Sequence, residues 1–245
     1  MAQRSEPPFR ADHVGSLLRP PALIEARARA AAGELDADGL RAAEDAAIVE
    51  AIAMQESVGL QSATDGEFRR TSWHMDFIYR LGGVVRTDEQ ITVPMRNRRG
   101  SGAFTASGIA VTSPVRLEEP IFTDHFDFLA AHVTTATPKM TIPSPSMVHF
   151  RGGTSMLDRS AYPDPEQFFA DLSAAYAAEI AALYDHGCRY LQLDDTSLAY
   201  LNDPAHRAQV AARGDDPDHL HERYVAGINA ALANRPEGLR VTTHM

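Results

Sequence analysis

Five clusters in this 245-residue chain carry the residue types that chemistry needs. His13-Val14-Gly15-Ser16 closes the first apolar run. A glycine there lets a ligand approach the backbone, and the serine hydroxyl with neighbouring amides can hold a carboxylate. A tight turn with a polar tip accounts for the same four residues. In Thr64-Asp65-Gly66-Glu67-Phe68-Arg69-Arg70, two carboxylates and two guanidiniums crowd the end of a second run, forming either a charged pocket wall or a surface salt-bridge cluster. Asp194-Asp195 follow Tyr190-Leu191-Gln192-Leu193. Paired acids leaving an apolar strand are costly unless a metal, a substrate ammonium or a lysine meets them. Asp195 also suits a cap on the next helix, which leaves Asp194 as the stronger candidate.

Lys139 to Ser146 reads as a strand ended by Pro143 and Pro145, since proline cannot continue a central ladder. The segment beyond the strand is a rigid loop or a shaped wall for a flat ligand. His244 ends the last apolar run and, taken alone, is a core residue or a fraying end. Trp73 to Phe77 is placed along the pocket without a chemical role. Cys188 is a small buried hydrophobe.

These clusters sit where strands end. Three segments share one layout: amphipathic helix, turn, apolar strand, polar tip. The first helix spans about 38–58, with Leu40, Ala43, Ala47, Ala51, Met54 and Val58 as its apolar stripe and Gly59 as its stop. Its strand covers 60–64. The second opens at Asp164 and Pro165 with Gln167 completing a capping box, and buries Phe169, Leu172, Tyr176, Ile180 and Leu183. Gly187 ends it, and the strand 189–193 comes next. The third starts at Asp216 and Pro217, reaches about Ala233, and leads to a strand over 239–243. Further strands are predicted at 11–15, 139–142 and 108–115.

Helices alternating with strands give an α/β chain with a parallel sheet. The first strand leads into Gly15-Ser16-Leu17-Leu18-Arg19-Pro20, which lacks the glycine-rich phosphate turn of an open doubly wound sheet. Polar residues gather at strand ends, as in a TIM (β/α)8-type barrel. About six of its eight strands are accounted for. The chain reads as a single, incomplete barrel domain over 1–245, with an irregular excursion at about 82–108 forming a hairpin and a mobile loop.

Composition narrows the partners. An apolar fraction of 44% supports a sizeable core, and 23 basic against 33 acidic residues leave a net charge of -10. That balance argues against nucleic acid and anionic membranes, and Arg96, Arg98 and Arg99 read as a solvated loop. No stretch approaches the roughly 18 apolar residues of a membrane helix. The N-terminus lacks the apolar core of a signal peptide, and a single cysteine permits no intrachain disulfide, so a cytoplasmic location is expected.

Taken in order, His13-Val14-Gly15-Ser16, Asp65-Gly66-Glu67, Tyr190-Leu191-Gln192-Leu193-Asp194 and Thr243-His244-Met245 resemble the C-terminal catalytic barrel of cobalamin-independent methionine synthases, and more closely its short single-barrel bacterial relatives. The resemblance implies a zinc-dependent thiol methyltransferase that moves a methyl group from 5-methyltetrahydrofolate to homocysteine, giving methionine. By the same resemblance, Val14, Gly15 and Ser16 would hold the amino acid's carboxylate, Glu67 and Asp194 its ammonium, and His244 would be the first zinc ligand. The partners would be a small-molecule thiol amino acid and a methyl donor.

Three departures qualify this. The family's zinc motif is His-x-Cys with a later glutamate and second cysteine, and this sequence stops at Met245, one residue before the first cysteine. Tyr200 stands where the full-length enzymes place an acid that contacts folate. The Pro143-Ser144-Pro145-Ser146 run replaces a sequence that includes an aromatic. The alternatives are a related transferase using another donor or thiol such as coenzyme M, an inactive truncated barrel, and a magnesium-dependent lyase barrel built on Asp194 and Asp195.

Overall fold

Proline and aspartate set the helix starts. Pro21 opens α1 (Pro21–Ala31), and Asp36 caps α2 (Ala37–Ser57) by accepting the Gly39 N–H at 2.8 Å. The buried stripe of α2 is Ala47, Ile48, Ala51, Ile52 and Gln55, whereas Met54 and Val58, expected inside, are exposed. Gln55 draws the helix round. Its amide donates to Ala51 O and Thr64 O and its carbonyl accepts the Thr64 N–H, so a polar residue takes the inward position. The chain continues through β1 (Ser62–Ala63) and α3 (Met75–Ile78) to two long antiparallel strands, β2 (Gly82–Asn97) and β3 (Gly100–Arg116). The computed structural model describes residues 5–97 and 100–245, so Arg98 and Arg99 lie outside the described residues.

Beyond the hairpin come α4 (Thr123–His132), β4 (Thr137–Pro143), α5 (Pro145–Gly152) and α6 (Pro165–Asp185). The last part comprises β5 (Tyr190–Asp194), α7 (Ser197–Tyr200), α8 (Pro204–Ala212), α9 (Leu220–Leu232) and β6 (Arg240–His244). The stripe expected on α6 is buried as read, from Phe169 to Leu183. Its cap differs in detail: Asp164 accepts the Glu166 N–H, while Gln167 turns to Asp171 instead of closing a capping box. Asp216 and Pro217 begin a turn, and the helix proper starts four residues after Asp216, at Leu220.

Strands β1, β4, β5 and β6 form one parallel sheet in that order, with helical cover. The α/β class holds. A closed eight-stranded ring is not formed by the described residues, and two of the six expected barrel strands are corrected. Residues 108–115 belong to β3, in the antiparallel hairpin, because their partners are in β2. Residues 11–15 form no ladder. Asp12 instead accepts hydrogen bonds from Ser62, Lys139 and Tyr190, one from each of three neighbouring strands, and Lys139 also donates to His13 O at 2.7 Å. Side-chain rungs do here what backbone pairing does elsewhere, and they carry the chain up to Gly15 and Ser16.

Two carboxylates fasten loops to this frame. Glu179, fully buried, accepts the N–H groups of Ile121 (2.8 Å) and Phe122 (3.0 Å). Glu179→Ala strands both donors and is expected to cost about 2–4 kcal/mol, while Glu179→Gln keeps one acceptor and loses less. Thermal unfolding of the two variants reads the difference. At the surface, Glu56 accepts N–H groups from Thr134, Thr135 and Ala136 together with the Thr134 hydroxyl, which holds its pKa down at about 2. Among the described residues no helix is long and apolar enough to cross a membrane.

Candidate active site

The site is assembled at the C-terminal ends of the sheet strands. Gly15 has φ +119°, a conformation L side chains rarely adopt, and a Cβ there would stand 2.5 Å from Thr141 Cγ2. Only glycine lets this turn press against β4. Three bonds fix the turn. Thr64 donates its hydroxyl to Gly15 O (2.6 Å), Leu17 its N–H to Gly66 O (3.1 Å), and Gln192 its amide to Val14 O (2.6 Å).

Glu67 is the second element. It has φ +57°, the one non-glycine residue with positive φ among the described residues, directly after Gly66 at +65°. Strain of this kind persists where surroundings over-determine it. Here Asp65 accepts the Glu67 N–H at 2.9 Å, and Thr141 donates its hydroxyl to Glu67 Oε1 at 2.9 Å. Arg70 stands behind: Nη1 lies 3.7 Å from Glu67 Oε1, Nη2 donates to Thr141 O at 2.6 Å, and the guanidinium covers the Phe122 ring. Arg69, in contrast, pairs with Asp45 and lies over Phe128. The expected wall of two acids and two guanidiniums therefore divides. Glu67 faces the cavity with Arg70 as its support, and Asp65 and Arg69 serve the frame.

Asp194 ends β5. Gln192 donates to its Oδ1 at 2.7 Å, and His244 Nδ1 from the paired strand lies 3.4 Å from the same oxygen. Burial pushes the Asp194 carboxyl up to about 7, with the nearby Glu67 charge adding to the rise against the Gln192 hydrogen bond. A carboxylate so placed asks for a cation. Asp195 takes the role of a cap: its Oδ1 accepts the N–H groups of Ser197 (2.8 Å) and Leu198 (3.2 Å), and its Oδ2 accepts from Ser146.

Val14, Ser16, Glu67, Asp194 and His244 all line one cavity of about 510 Å3. Gly15 sits in the turn behind that wall. Further lining comes from outside the sheet: Trp73 and His74 before α3, Arg151 in the last turn of α5, and Thr196 and Tyr200 beyond β5. Sequence reasoning placed Trp73 and His74 near the pocket but passed over Arg19, Arg151 and Thr196. Arg151 leaves a trace in the sequence, as one arginine after Met147-Val148-His149-Phe150 and before Gly152-Gly153.

A metal asks more of these residues than they offer. Among the described residues no three His, Cys, Asp or Glu side chains gather as ligands, and His244 is accompanied by Asp194 alone. Cys188 is buried and donates to Tyr190 O two residues on, before β5 begins, with burial pushing its thiol up to about 12. It cannot serve this rim.

Residues 9–245 match the family described as cobalamin-independent synthase, catalytic domain. The chain is 42% identical to Bacillus subtilis YxjG over 99% of its own length and 63% of YxjG, and 25% identical to a Pyrococcus horikoshii methionine synthase over 78% of this chain and 52% of that one. A provisionally assigned vitamin-B12-independent methionine synthase from Listeria monocytogenes superposes with a TM-score of 0.78 at 38% identity, covering 97% of this chain and 65% of that one. A Shewanella B12-independent methionine synthase, solved with selenomethionine, shares the fold at 22% identity and TM-score 0.59, over 86% of this chain and 52% of that one. The chain thus spans less than two thirds of the length of these relatives.

Proposed function

This chain belongs to the catalytic-domain family of cobalamin-independent methionine synthases, and from that premise we propose that its cavity binds homocysteine and methylates its sulfur, with 5-methyltetrahydrofolate as donor and methionine as product. One observation carries the reading: two buried carboxylates, Glu67 and Asp194, face the same cavity as the glycine turn bearing Ser16. That is the charge pattern of an α-amino acid. The ammonium sits against Glu67 and Asp194, and the carboxylate against the Ser16 hydroxyl and the amides of the turn. Thr141 and Arg70 hold Glu67 in place, and Gln192 ties Asp194 to the turn through Val14. The residues fix the amino acid at both charged ends and leave its thiol to project into the cavity, which is catalysis by positioning. In the transfer, sulfur bonds to the methyl carbon as the carbon–N5 bond breaks. The thiol gives up one proton and N5 takes one.

The family's zinc supplies thiol activation when bound. Among the described residues, His244 and Asp194 do not by themselves compose such a site. The paired-acid lyase loses its basis, because Asp195 is spent on capping α7. Incubating the full chain with homocysteine and methyl-labelled 5-methyltetrahydrofolate is expected to give labelled methionine. Label that passes to coenzyme M and leaves homocysteine untouched would overturn the choice of acceptor.

A further inference from the structure

Arg151 is a buried cation without a carboxylate counter-ion among the described residues. It is only 9% exposed and lines the cavity, yet among the described residues no carboxylate comes within ion-pair distance of it. Burial disfavours its charge; of the ionisable groups nearby, the Tyr200 phenol favours the cation and the Arg213 guanidinium, which donates to Phe150 O at 3.0 Å, opposes it. Buried charges are ordinarily paired, because desolvation of a lone ion costs several kcal/mol. Arg151 therefore stands out from the other buried guanidinium of the site, Arg70, which has Glu67.

Its orientation is set by His74. Arg151 Nε donates to His74 Nε2 at 2.9 Å, and Ser72 Oγ lies 3.2 Å from Nδ1 on the far side of the ring. Burial, reinforced by the Arg151 charge, pushes His74 down to about 2, so the ring stays neutral and its Nε2 remains an acceptor across the physiological range. With Nε engaged, the paired N–H groups of Nη1 and Nη2 remain, and neither is bonded to a protein acceptor among the described residues. A fork with two parallel donors is the geometry that grips a carboxylate bidentately.

We propose that Arg151, aligned by His74, forms an anion-binding end of this cavity that takes a carboxylate of the second substrate. Arg151 reaches the cavity from a helix and not from a strand end. Glu67, Asp194 and Ser16 come from strand ends and their turns, whereas Trp73, His74, Arg151 and Tyr200 come from the segment before α3, from α5 and from α7. The first group suits an amino acid. The second offers a guanidinium flanked by an indole and a phenol, suited to an aromatic body with an acidic tail. That an anion binds here stands on geometry. That it belongs to a methyl donor rests on the function proposed above.

The chain's single tryptophan gives a direct readout, since the Trp73 ring lies 4.3 Å from that of His74. Trp73 fluorescence of the full chain would be titrated with 4-aminobenzoyl-L-glutamate, with uncharged 4-aminobenzamide and with 5-methyltetrahydrofolate. Arg151→Gln is expected to weaken both carboxylated probes at least about tenfold, Arg151→Lys to weaken them less, and neither to change 4-aminobenzamide or homocysteine binding. Retained homocysteine affinity shows that the variants fold. Equal affinity of Arg151→Gln and the parent for the carboxylated probes overturns the proposal, as does a parent chain that binds neither. The two readings separate: Arg151-dependent binding of 4-aminobenzoyl-L-glutamate without methionine formation sinks the donor and leaves the anion site standing.

Discussion

Asp194→Asn is expected to raise the Kd for homocysteine by about 30-fold or more, and at neutral pH to make the empty protein more stable. The first effect comes from removing one member of a buried charge pair with the ligand's ammonium, a loss of about 2–5 kcal/mol. The second comes from linkage. The Asp194 carboxyl is raised from 3.8 to about 7 in the folded chain. Below pH 4 both states hold the proton and nothing is lost. Between pH 4 and 7 the unfolded chain releases it while the folded chain keeps it, so stability falls as pH rises. Above 7 the folded chain carries a carboxylate that burial disfavours. Asparagine keeps the oxygen that accepts from Gln192 and removes that cost, so the melting temperature at pH 8 should rise by several degrees. For the parent, homocysteine binding should tighten from pH 6 to 8 as Asp194 ionises. Calorimetry on both proteins at pH 6 and 8 tests this, and a variant that binds as the parent does would remove Asp194 from the site.

Gly15→Ala carries the other large expectation. The new methyl has to stand 2.5 Å from Thr141 Cγ2 at a φ of +119°. Backbone strain contributes about 1–3 kcal/mol and overpacking a similar amount. The clash does not stay local. Thr141 holds Glu67 Oε1 through its hydroxyl, so displacing it moves a carboxylate of the site. Turnover is expected to fall about a hundredfold or more, the scale of a 1 Å misplacement. Thr141→Ser removes the obstructing methyl and keeps the hydroxyl. Combined with Gly15→Ala it should recover part of the activity, and a non-additive double-mutant cycle measures the coupling. Additive losses would show that the two residues are not in contact.

The strand ends were legible in the sequence because an apolar run that stops at Asp194, or a Gly66-Glu67 step after Thr64, has few structural uses. The placing of Val14, Ser16, Glu67, Asp194 and His244 on one cavity agrees with that pattern. The stripe of α6 was legible for the same reason, since its bulky side chains recur at helical spacing. Two kinds of feature were not. Residues 11–15 have the alternation of a strand but are held by Asp12 reaching three others, and tertiary hydrogen bonds leave no periodic trace. Helix α2 shows the same limit, with Gln55 inside and Met54 outside because Gln55 alone can satisfy the backbone of Thr64. Arg151 is the sharpest case: its significance lies in the lack of a neighbouring acid among the described residues, which only the folded arrangement reveals.

Glu56 and Asp194 pull the protein's pH tolerance in opposite directions. Glu56, held at about 2 against an ordinary 4.5, contributes stability that is complete above 4.5 and drains away as pH falls toward 2. Asp194 takes stability away as pH climbs from 4 to 7. His74, held at about 2 against an ordinary 6.5, sides with Glu56 against acid: below 6.5 the unfolded chain takes up a proton that the folded chain refuses. Acid thus costs the fold through Glu56 and His74 and also protonates Asp194, which then cannot welcome an ammonium, so substrate belongs in neutral solution, where Asp194 is ionised.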